Sequence, residues 1–323
     1  MLEGQVVKLD RGYPLVRTEG GDELRCKHAT ALEKGEKVRA VIGDRVVLDM
    51  PEGHDKAIIA RILPRDTEFV RKDPTERALP QVLAANFDRV IIAQPIADVN
   101  MRRLERELVL AHETGADVTV ALTKADLAEN DDDIERIAQE VGGLVGPDDS
   151  VFVVSAEDPA SIEAIRALIA PGTTTVLIGK SGVGKSSLVN LLVGSAVQET
   201  AEVREADGKG RHTTVSREMV EVPGAGRIVD MPGVRGLGLW DAEAGIEAAF
   251  SDIENLAATC KFRDCRHEGE PGCAVARAVK NGDLAQSRLD SYHALRSETV
   301  EIQERREEAS RIRSRTGHPR RRG

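Results

Sequence analysis

The sequence predicts a multidomain α/β protein. It reads as a small N-terminal β-barrel over residues 1–68, a mostly parallel sheet-and-helix domain over 80–245, a helical metal-binding segment over 246–303, and a basic disordered tail over 304–323. Three observations carry that reading. Apolar strands alternate with amphipathic helices from about residue 86 to 245, the pattern of a parallel sheet covered on both faces. The octapeptide GKSGVGKS at 179–186 follows one of those strands and opens a helix, the context of a phosphate-binding loop. Three of the four cysteines fall with a histidine inside residues 260–273, which argues for metal ligation over a disulfide framework.

A chain of 323 residues exceeds what one ordinary core serves, so two or three domains are expected. No apolar run approaches the roughly 18 to 20 residues of a membrane span, and the start MLEGQVVKLDRGY lacks the apolar core of a signal peptide. A cytoplasmic monomer with no membrane partner is expected. The net charge of −10 argues against indiscriminate nucleic-acid binding, although six arginines and no acid follow from Arg311 onward.

In the first domain, short apolar runs at 5–9, 38–42, 45–48 and 56–62 are separated by turn signals such as Arg11-Gly12, Gly20-Gly21 and Pro51-Glu52-Gly53, the spacing of a small barrel. Cys26 stands alone there and is expected as a half-buried strand residue. In the second domain, strands begin at Asp88, Asp117, Val151, Thr174 and Arg227. A helix over 100–114 puts Leu104, Leu108 and Ala111 on one face and stops at Gly115. Another starts at Asp158 as N-cap, with Pro159 at its first position. Residues 246–300 read as helical, with a break at Asn281-Gly282.

The chemistry begins at the phosphate loop. Gly179, Gly182 and Gly184, interleaved with Lys180, Ser181 and Val183, permit a tight turn whose backbone amides cradle an anion at a helix N-terminus. Lys185 would reach β- and γ-phosphates, Ser186 would ligate Mg2+, and Ser187 joins the phosphate-facing set. This loop does not choose the base. That choice falls to Thr123-Lys124-Ala125-Asp126 at the carboxyl end of a strand, where α/β sheets bind ligands. The Asp126 carboxylate can accept two hydrogen bonds from guanine, a donor pair adenine lacks, and Lys124 would pack under the base. Ser155 and Ala156 follow one strand later. Thr123 stands where asparagine is usual, so a weaker brace to the phosphate loop is expected.

Asp230 ends a strand and can hold Mg2+ through water, while the amide of Gly233 can touch the γ-phosphate. Between the two phosphate motifs, the sequence GKGRHTT at 208–214 reads as a mobile loop in which Thr213 or Thr214 completes the magnesium shell once GTP is bound. Val234 occupies the place where many GTPases carry the glutamine that orients the attacking water. His212 is therefore the candidate for that task, and with Lys185 and Thr214 it forms the candidate catalytic set. The pattern Cys260-x4-Cys265-x-His267-x5-Cys273 supplies a closed tetrahedral shell for one structural Zn2+, with no open position for catalysis.

Both base-reading motifs precede the phosphate loop, whereas GTPases normally carry them after it, so the nucleotide-binding domain reads as circularly permuted. With these motifs the chain resembles the ribosome small-subunit-dependent GTPase family over about residues 1–300. The resemblance rests on the permuted order, the GRHTT loop, DMPGVRGLGL at 230–239, and the cysteine cluster running into GCAVARAVKNG. It implies an OB-like β-barrel, a circularly permuted P-loop GTPase domain and a C-terminal helical zinc-binding domain. It also implies GTP hydrolysis stimulated by the small (30S) ribosomal subunit, contact with 16S rRNA, and a role in late maturation of that subunit. Met231 departs from the serine or threonine commoner in the family.

Arg61, Arg65, Arg71, Lys72, Arg263, Arg266 and the arginine tail are the candidate RNA-facing cations. Phosphate contacts of this kind make binding salt-dependent. Two other readings remain at this point. One is a low-turnover guanine-nucleotide-dependent RNA-binding module, which the missing glutamine permits. The other is a P-loop ATPase or small-molecule kinase, which Asp126 disfavours.

Overall fold

The computed structural model describes residues 2–10, 13–30, 32, 38–50, 56–72, 80–195, 217–231 and 238–316. Five strands close the N-terminal barrel: β1 (Leu2–Asp10), β2 (Tyr13–Thr18), β3 (Glu23–His28), β4 (Arg45–Asp49) and β5 (Ala57–Ile62). They follow the order β1-β2-β3-β5-β4, and β4 pairs back with β1, so the barrel leaves no free edge at that seam. Alternate residues point inward, among them Val6, Val16, Val46, Leu48 and Ile59. Cys26 belongs to this core and is fully buried, not half-buried as expected, and burial pushes its thiol up to about 11. The apolar run 38–42 forms no strand among its residues beyond a single bridge from Ile42 to Ala84.

A hairpin not foreseen from the sequence follows, β6 (Glu68–Lys72) with β7 (Pro80–Ala85), and stands between the barrel and the second domain. The second sheet comprises β8 (Arg89–Pro95), β9 (Asp117–Thr123), β10 (Ser150–Val153), β11 (Thr174–Ile178), β12 (Arg217–Glu221) and β13 (Arg227–Asp230). Its order is β10-β9-β8-β11-β13-β12, parallel except for β12, and β12 also pairs with β1. The barrel and the parallel sheet thereby share one continuous hydrogen-bonded ladder, reinforced by Lys8 to Glu218 at 2.6 Å.

Among the described residues, four helices connect these strands: α1 (Met101–His112), α2 (Asp131–Gly142), α3 (Pro159–Ala167) and α4 (Lys185–Val193). Side-chain oxygens of Asn100, Asn130 and Asp158 cap α1, α2 and α3 by accepting from backbone amides of their first turns. The period-two pattern divides the strands between two cores. Ile91, Ala121, Leu177 and Ile228 pack on α3 and α4. Val90, Val120, Val176 and Val229 face α1 and the C-terminal helices.

Those helices are α5 (Glu243–Ala249), α6 (Ser251–Ala257), α7 (Ala274–Asn281) and α8 (Gln286–Thr316). Gly245 lets α5 approach α1 closely, because a Cβ there would sit 2.2 Å from the carbonyl oxygen of Val109. Arg288 on α8 is buried, donating to Glu105 of α1 at 3.2 Å, to Asp252 of α6 at 2.9 Å and to the Ala249 carbonyl at 2.7 Å. Its guanidinium also lies 4.4 Å from the Phe250 ring centroid. The expected disordered tail from residue 304 is corrected as far as Thr316, because α8 runs on to that residue. The reason is local: helix-forming Glu and Arg recur there, with Glu301–Arg305 and Glu307–Arg311 pairs at i,i+4. Residues 317–323 lie outside the described residues. Among the described residues, no helix is long and apolar enough to cross a membrane.

Candidate nucleotide and metal sites

The phosphate loop leaves the buried central strand β11 and enters α4, so its amides stand at a helix N-terminus in the middle of the sheet. Gly179 has φ +143°, and a Cβ would lie 2.5 Å from the Ala93 carbonyl oxygen; only glycine fits where the loop crosses β8. Lys185 is buried, and its Nζ donates to the carbonyls of Gly179 at 3.0 Å and Lys180 at 3.1 Å. The ammonium is thus held inside the curve of the loop. Lys180, Ser181, Gly182 and Ser187 are exposed along its outer side, while Val183 is buried beneath it. One turn into the helix, Ser186 Oγ donates to Asp230 Oδ2 at 3.1 Å. A hydroxyl and a carboxylate from neighbouring strand ends form the oxygen pair suited to a hard cation such as Mg2+.

The base-reading loop lies on the other side of β8. Lys124 adopts a left-handed conformation, φ +59°, which costs a non-glycine residue roughly 1–2 kcal/mol and turns the chain sharply at the end of β9. Asp126 is exposed, and its Oδ1 accepts from Ser155 Oγ and from the amide of Ala156, each at 3.2 Å. Two residues from the following loop therefore aim the carboxylate of the candidate base reader. The brace expected to be weakened by Thr123 is present: its Oγ1 sits 2.5 Å from the Val183 carbonyl and 3.2 Å from the Gln94 carbonyl. A buried hydroxyl can reach both loops because β8 and β9 end side by side, with Pro95 opposite Thr123.

Sequence reasoning missed the support beneath this brace. Gln94 Nε2 donates to Glu107 Oε2 at 2.5 Å, and Arg103 Nε donates to Glu107 Oε1 at 2.8 Å. Glu107 is completely buried. Burial raises its carboxyl above the ordinary range, against the opposing charge and hydrogen bond of Arg103. A signal was available: Glu107 lies three residues after Leu104 and four before Ala111, inside the apolar stripe of α1.

Cys260, Cys265, His267 and Cys273 converge after α6 and at the start of α7, with all four donor atoms within 4.8 Å of one another. His267 Nδ1 lies 3.7 Å from Cys260 Sγ and 3.5 Å from Cys273 Sγ, and these two sulfurs are 3.9 Å apart. Amides of Ala274 and Ala276 point at Cys260 Sγ and Cys273 Sγ, each at 3.3 Å, and at Cys260 such amides bring the thiol below its ordinary value against the effect of burial. The donor set fits a metal ion. Glu270 folds back over the loop, accepting from the amides of Arg266 and Glu268. Backbone hydrogen bonds, its own amide first and then that of Arg266, pull its carboxyl down to about 2.

His212, Thr213, Thr214 and Gly233 lie outside the described residues. Of the candidate RNA-facing cations, Arg61, Arg263 and Arg266 are exposed. Arg65 is not available in the same way, because it forms two hydrogen bonds, 2.7 and 3.0 Å, to the buried carboxylate of Asp44.

A parallel sheet with a phosphate loop on its central strand, and with guanine-reading loops on two strands that precede it in the chain, defines a circularly permuted P-loop GTPase. A sequence model described as RsgA GTPase matches residues 62–240. A protein of Streptomyces avermitilis named small ribosomal subunit biogenesis GTPase RsgA is 42% identical over 303 residues, 94% of this chain and 80% of that protein. The crystal structure of YjeQ from Thermotoga maritima matches with a TM-score of 0.66 at 25% identity, over 93% of this chain and 98% of its own. The crystal structure of YloQ, described as a circularly permuted GTPase, matches with a TM-score of 0.64 at 26% identity, over 94% and 96%. The chain belongs to the RsgA GTPase family and is a GTP hydrolase.

Proposed function

We propose that this protein binds the small ribosomal subunit through its 16S rRNA and hydrolyses GTP there in a subunit-stimulated manner, acting in late assembly of that subunit in the cytoplasm. The observation that carries the reading is the joined nucleotide site. The carboxylate of Asp126, aimed by Ser155 and Ala156, is tied through Thr123 to the loop that holds Lys185. The names of the relatives support the ribosomal partner, and the exposed Arg61, Arg263 and Arg266 supply cations for RNA phosphates.

The loop amides and Lys185 hold the β- and γ-phosphates, and Asp126 selects guanine. Ser186, Asp230 and Thr213 or Thr214 would hold Mg2+, which when bound neutralises charge on the phosphate oxygens. The Gly233 amide takes an oxygen of the γ-phosphate, and His212 orients the attacking water in place of the glutamine that Val234 replaces. Zn2+ in the Cys3His group is structural, fixing the loop 260–273 against α7. The protein acts as a monomer with no membrane partner. With no glutamine in cis, intrinsic turnover is slow, and the subunit raises it by about 10³ to 10⁵, as activators of other GTPases do.

Phosphate release from GTP, measured alone, with small subunits and with large subunits, tests this. Stimulation by the small subunit only is expected. Tight GTP binding without stimulation by either subunit would replace it with a nucleotide-held RNA-binding module of low turnover.

A further inference from the structure

Glu107 has no part in the steps assigned above, yet it is a fully buried acid on α1. Both of its oxygens are taken: Oε2 accepts from Gln94 Nε2 at 2.5 Å, and Oε1 accepts from Arg103 Nε at 2.8 Å. An acid in this place opposes folding. Burial raises its carboxyl above the ordinary range, and the charge and hydrogen bond of Arg103, the hydrogen bond of Gln94 and the charge of Lys185 reverse that only in part. An apolar residue would complete the stripe that Leu104, Leu108 and Ala111 begin. A local conflict of this kind is what proteins keep where function requires it.

What Glu107 holds is a junction. The carbonyl of Ala93, next to Gln94 on β8, lies where Gly179 begins the phosphate loop, so close that a Cβ on Gly179 would sit 2.5 Å away. The carbonyl of Gln94 itself accepts from Thr123 Oγ1 at 3.2 Å, and the same hydroxyl sits 2.5 Å from the Val183 carbonyl of that loop. Gly184 packs on the brace as well: a Cβ there would meet Thr123 Oγ1 at 3.6 Å and Lys124 Cγ at 3.8 Å. The end of β8 therefore touches the phosphate loop through one peptide and the base strand through the next. On the β11 side the ladder stops at Ile92 opposite Ile178, short of Gln94. Past that point the Gln94 side chain, anchored on Glu107, ties the strand end to α1.

The geometry points to Glu107 as a positioning residue for the guanine nucleotide: through Gln94 it sets the strand end on which the phosphate loop and the base loop meet. This rests on the reading of the phosphate loop and Asp126 as the two grips on that nucleotide. GDP and GTP use both grips, so both affinities depend on Glu107. The consequence separates affinity from stability. A carboxylate only accepts, and both of its neighbours donate; the amide of Glu107→Gln must turn its own donor toward one of them, so one bond is lost while the shape is kept. Arg103 is partly solvated, so its charge is not stranded by that change. Removing the buried charge relieves the fold while the junction loosens.

The test measures, for each variant, the affinities for GDP and GTP by titration and the melting temperature at neutral pH without nucleotide. Glu107→Gln is expected to bind both nucleotides about tenfold more weakly and to melt no lower than the parent. Thr123→Val removes the hydroxyl of the brace and should weaken both by a similar factor. Because the two residues lie on one path, the double variant should match the weaker single variant within about twofold. Unchanged affinity in Glu107→Gln overturns the inference. So does a melting temperature that falls along with affinity, which makes Glu107 a general fold contact. Tighter binding overturns it too, since the carboxylate would then act on the phosphates only by its charge, and so do fully additive effects with Thr123→Val. A Lys185→Ala arm separates the two levels. If it binds GDP as tightly as the parent, the reading of the phosphate loop falls and the inference with it; if it loses GDP while Glu107→Gln keeps it, the inference alone falls.

Discussion

The two sides of the nucleotide site are held by different parts of the molecule. On the base and phosphate-loop side the ties described above run within the sheet domain: Asp126 to Ser155 and Ala156, Thr123 to Val183 and Gln94, Gln94 to Glu107. On the side reached through Asp230, the chain enters from β13 and leaves into contacts with the β6–β7 hairpin and α8. The described ties on the base and phosphate-loop side are thus internal, whereas the chain re-emerges after β13 at Gly238 and Leu239 against the flanking elements. Permutation makes this arrangement available, because no guanine-reading strand follows β13 and the chain runs directly into the C-terminal helices.

The comparison breaks most severely at Asp126. Replacing it with alanine removes the acceptors expected to distinguish guanine, and a dedicated hydrogen-bonding group of this kind is worth about 10⁴ to 10⁵ in discrimination. GTP-against-ATP competition on Asp126→Ala should show that collapse with the fold intact; retained guanine preference would place base selection elsewhere. Next comes the internal brace. Gln94→Leu keeps the main-chain carbonyl but removes the donor to buried Glu107, so GDP and GTP affinities should fall together, by about tenfold. Titration with both nucleotides decides it, and an effect confined to GTP would erase the distinction between the two sides.

Metal removal probes the opposite side. Chelation should melt the loop 260–273, since structural zinc contributes folding free energy outright, about 10–16 kcal/mol in small zinc modules. His267 stacks near Tyr292 of α8, with ring centroids 6.4 Å apart, so the loss propagates into α8. GDP affinity should stay within about twofold. Circular dichroism, metal analysis and GDP titration on the same sample check this, and a parallel loss of GDP binding would show that the sheet domain depends on the metal as well.

What was legible in the sequence was local. GKSGVGKS, TKAD and the Cys3His spacing each put their chemistry within a few residues, and the cap at Asp158 announced its helix. Even the permutation is an order of local motifs. What escaped joins distant residues: Arg106 and Glu298 are 192 positions apart, and Lys8 pairs with Glu218 across 210. No periodicity encodes such a partner, and an arginine or glutamate on a helix surface looks the same whether it is paired or solvated. The β6–β7 hairpin hid for a related reason: β6 carries Glu68, Arg71 and Lys72 as a solvated linker does, and β7 opens on Pro80. Glu107 is the intermediate case, since an acid inside an apolar stripe could have been flagged although Gln94 as its partner could not.

The smallest effect concerns acid stability on the α8 side. Glu298 carries a depressed pKa in the folded protein, so its pairing contributes stability that is fully present above the unfolded glutamate value of about 4.3 and is lost as pH falls through the lower folded value. The pair is partly solvated, which limits the contribution to about 1 kcal/mol. Melting temperatures of the parent and Glu298→Gln should differ at neutral pH, with the parent higher, and the gap should close below about pH 4. Glu107 has the opposite sign, because burial raises its folded pKa. Its ionised form opposes folding above the unfolded value, so Glu107→Gln should melt above the parent at neutral pH, a gap of the opposite sign that closes as pH falls. Two glutamates, one within α1 and one on α8, thus make the internal and external anchors distinguishable by pH alone, and a gap of the same sign for both variants would deny the contrast.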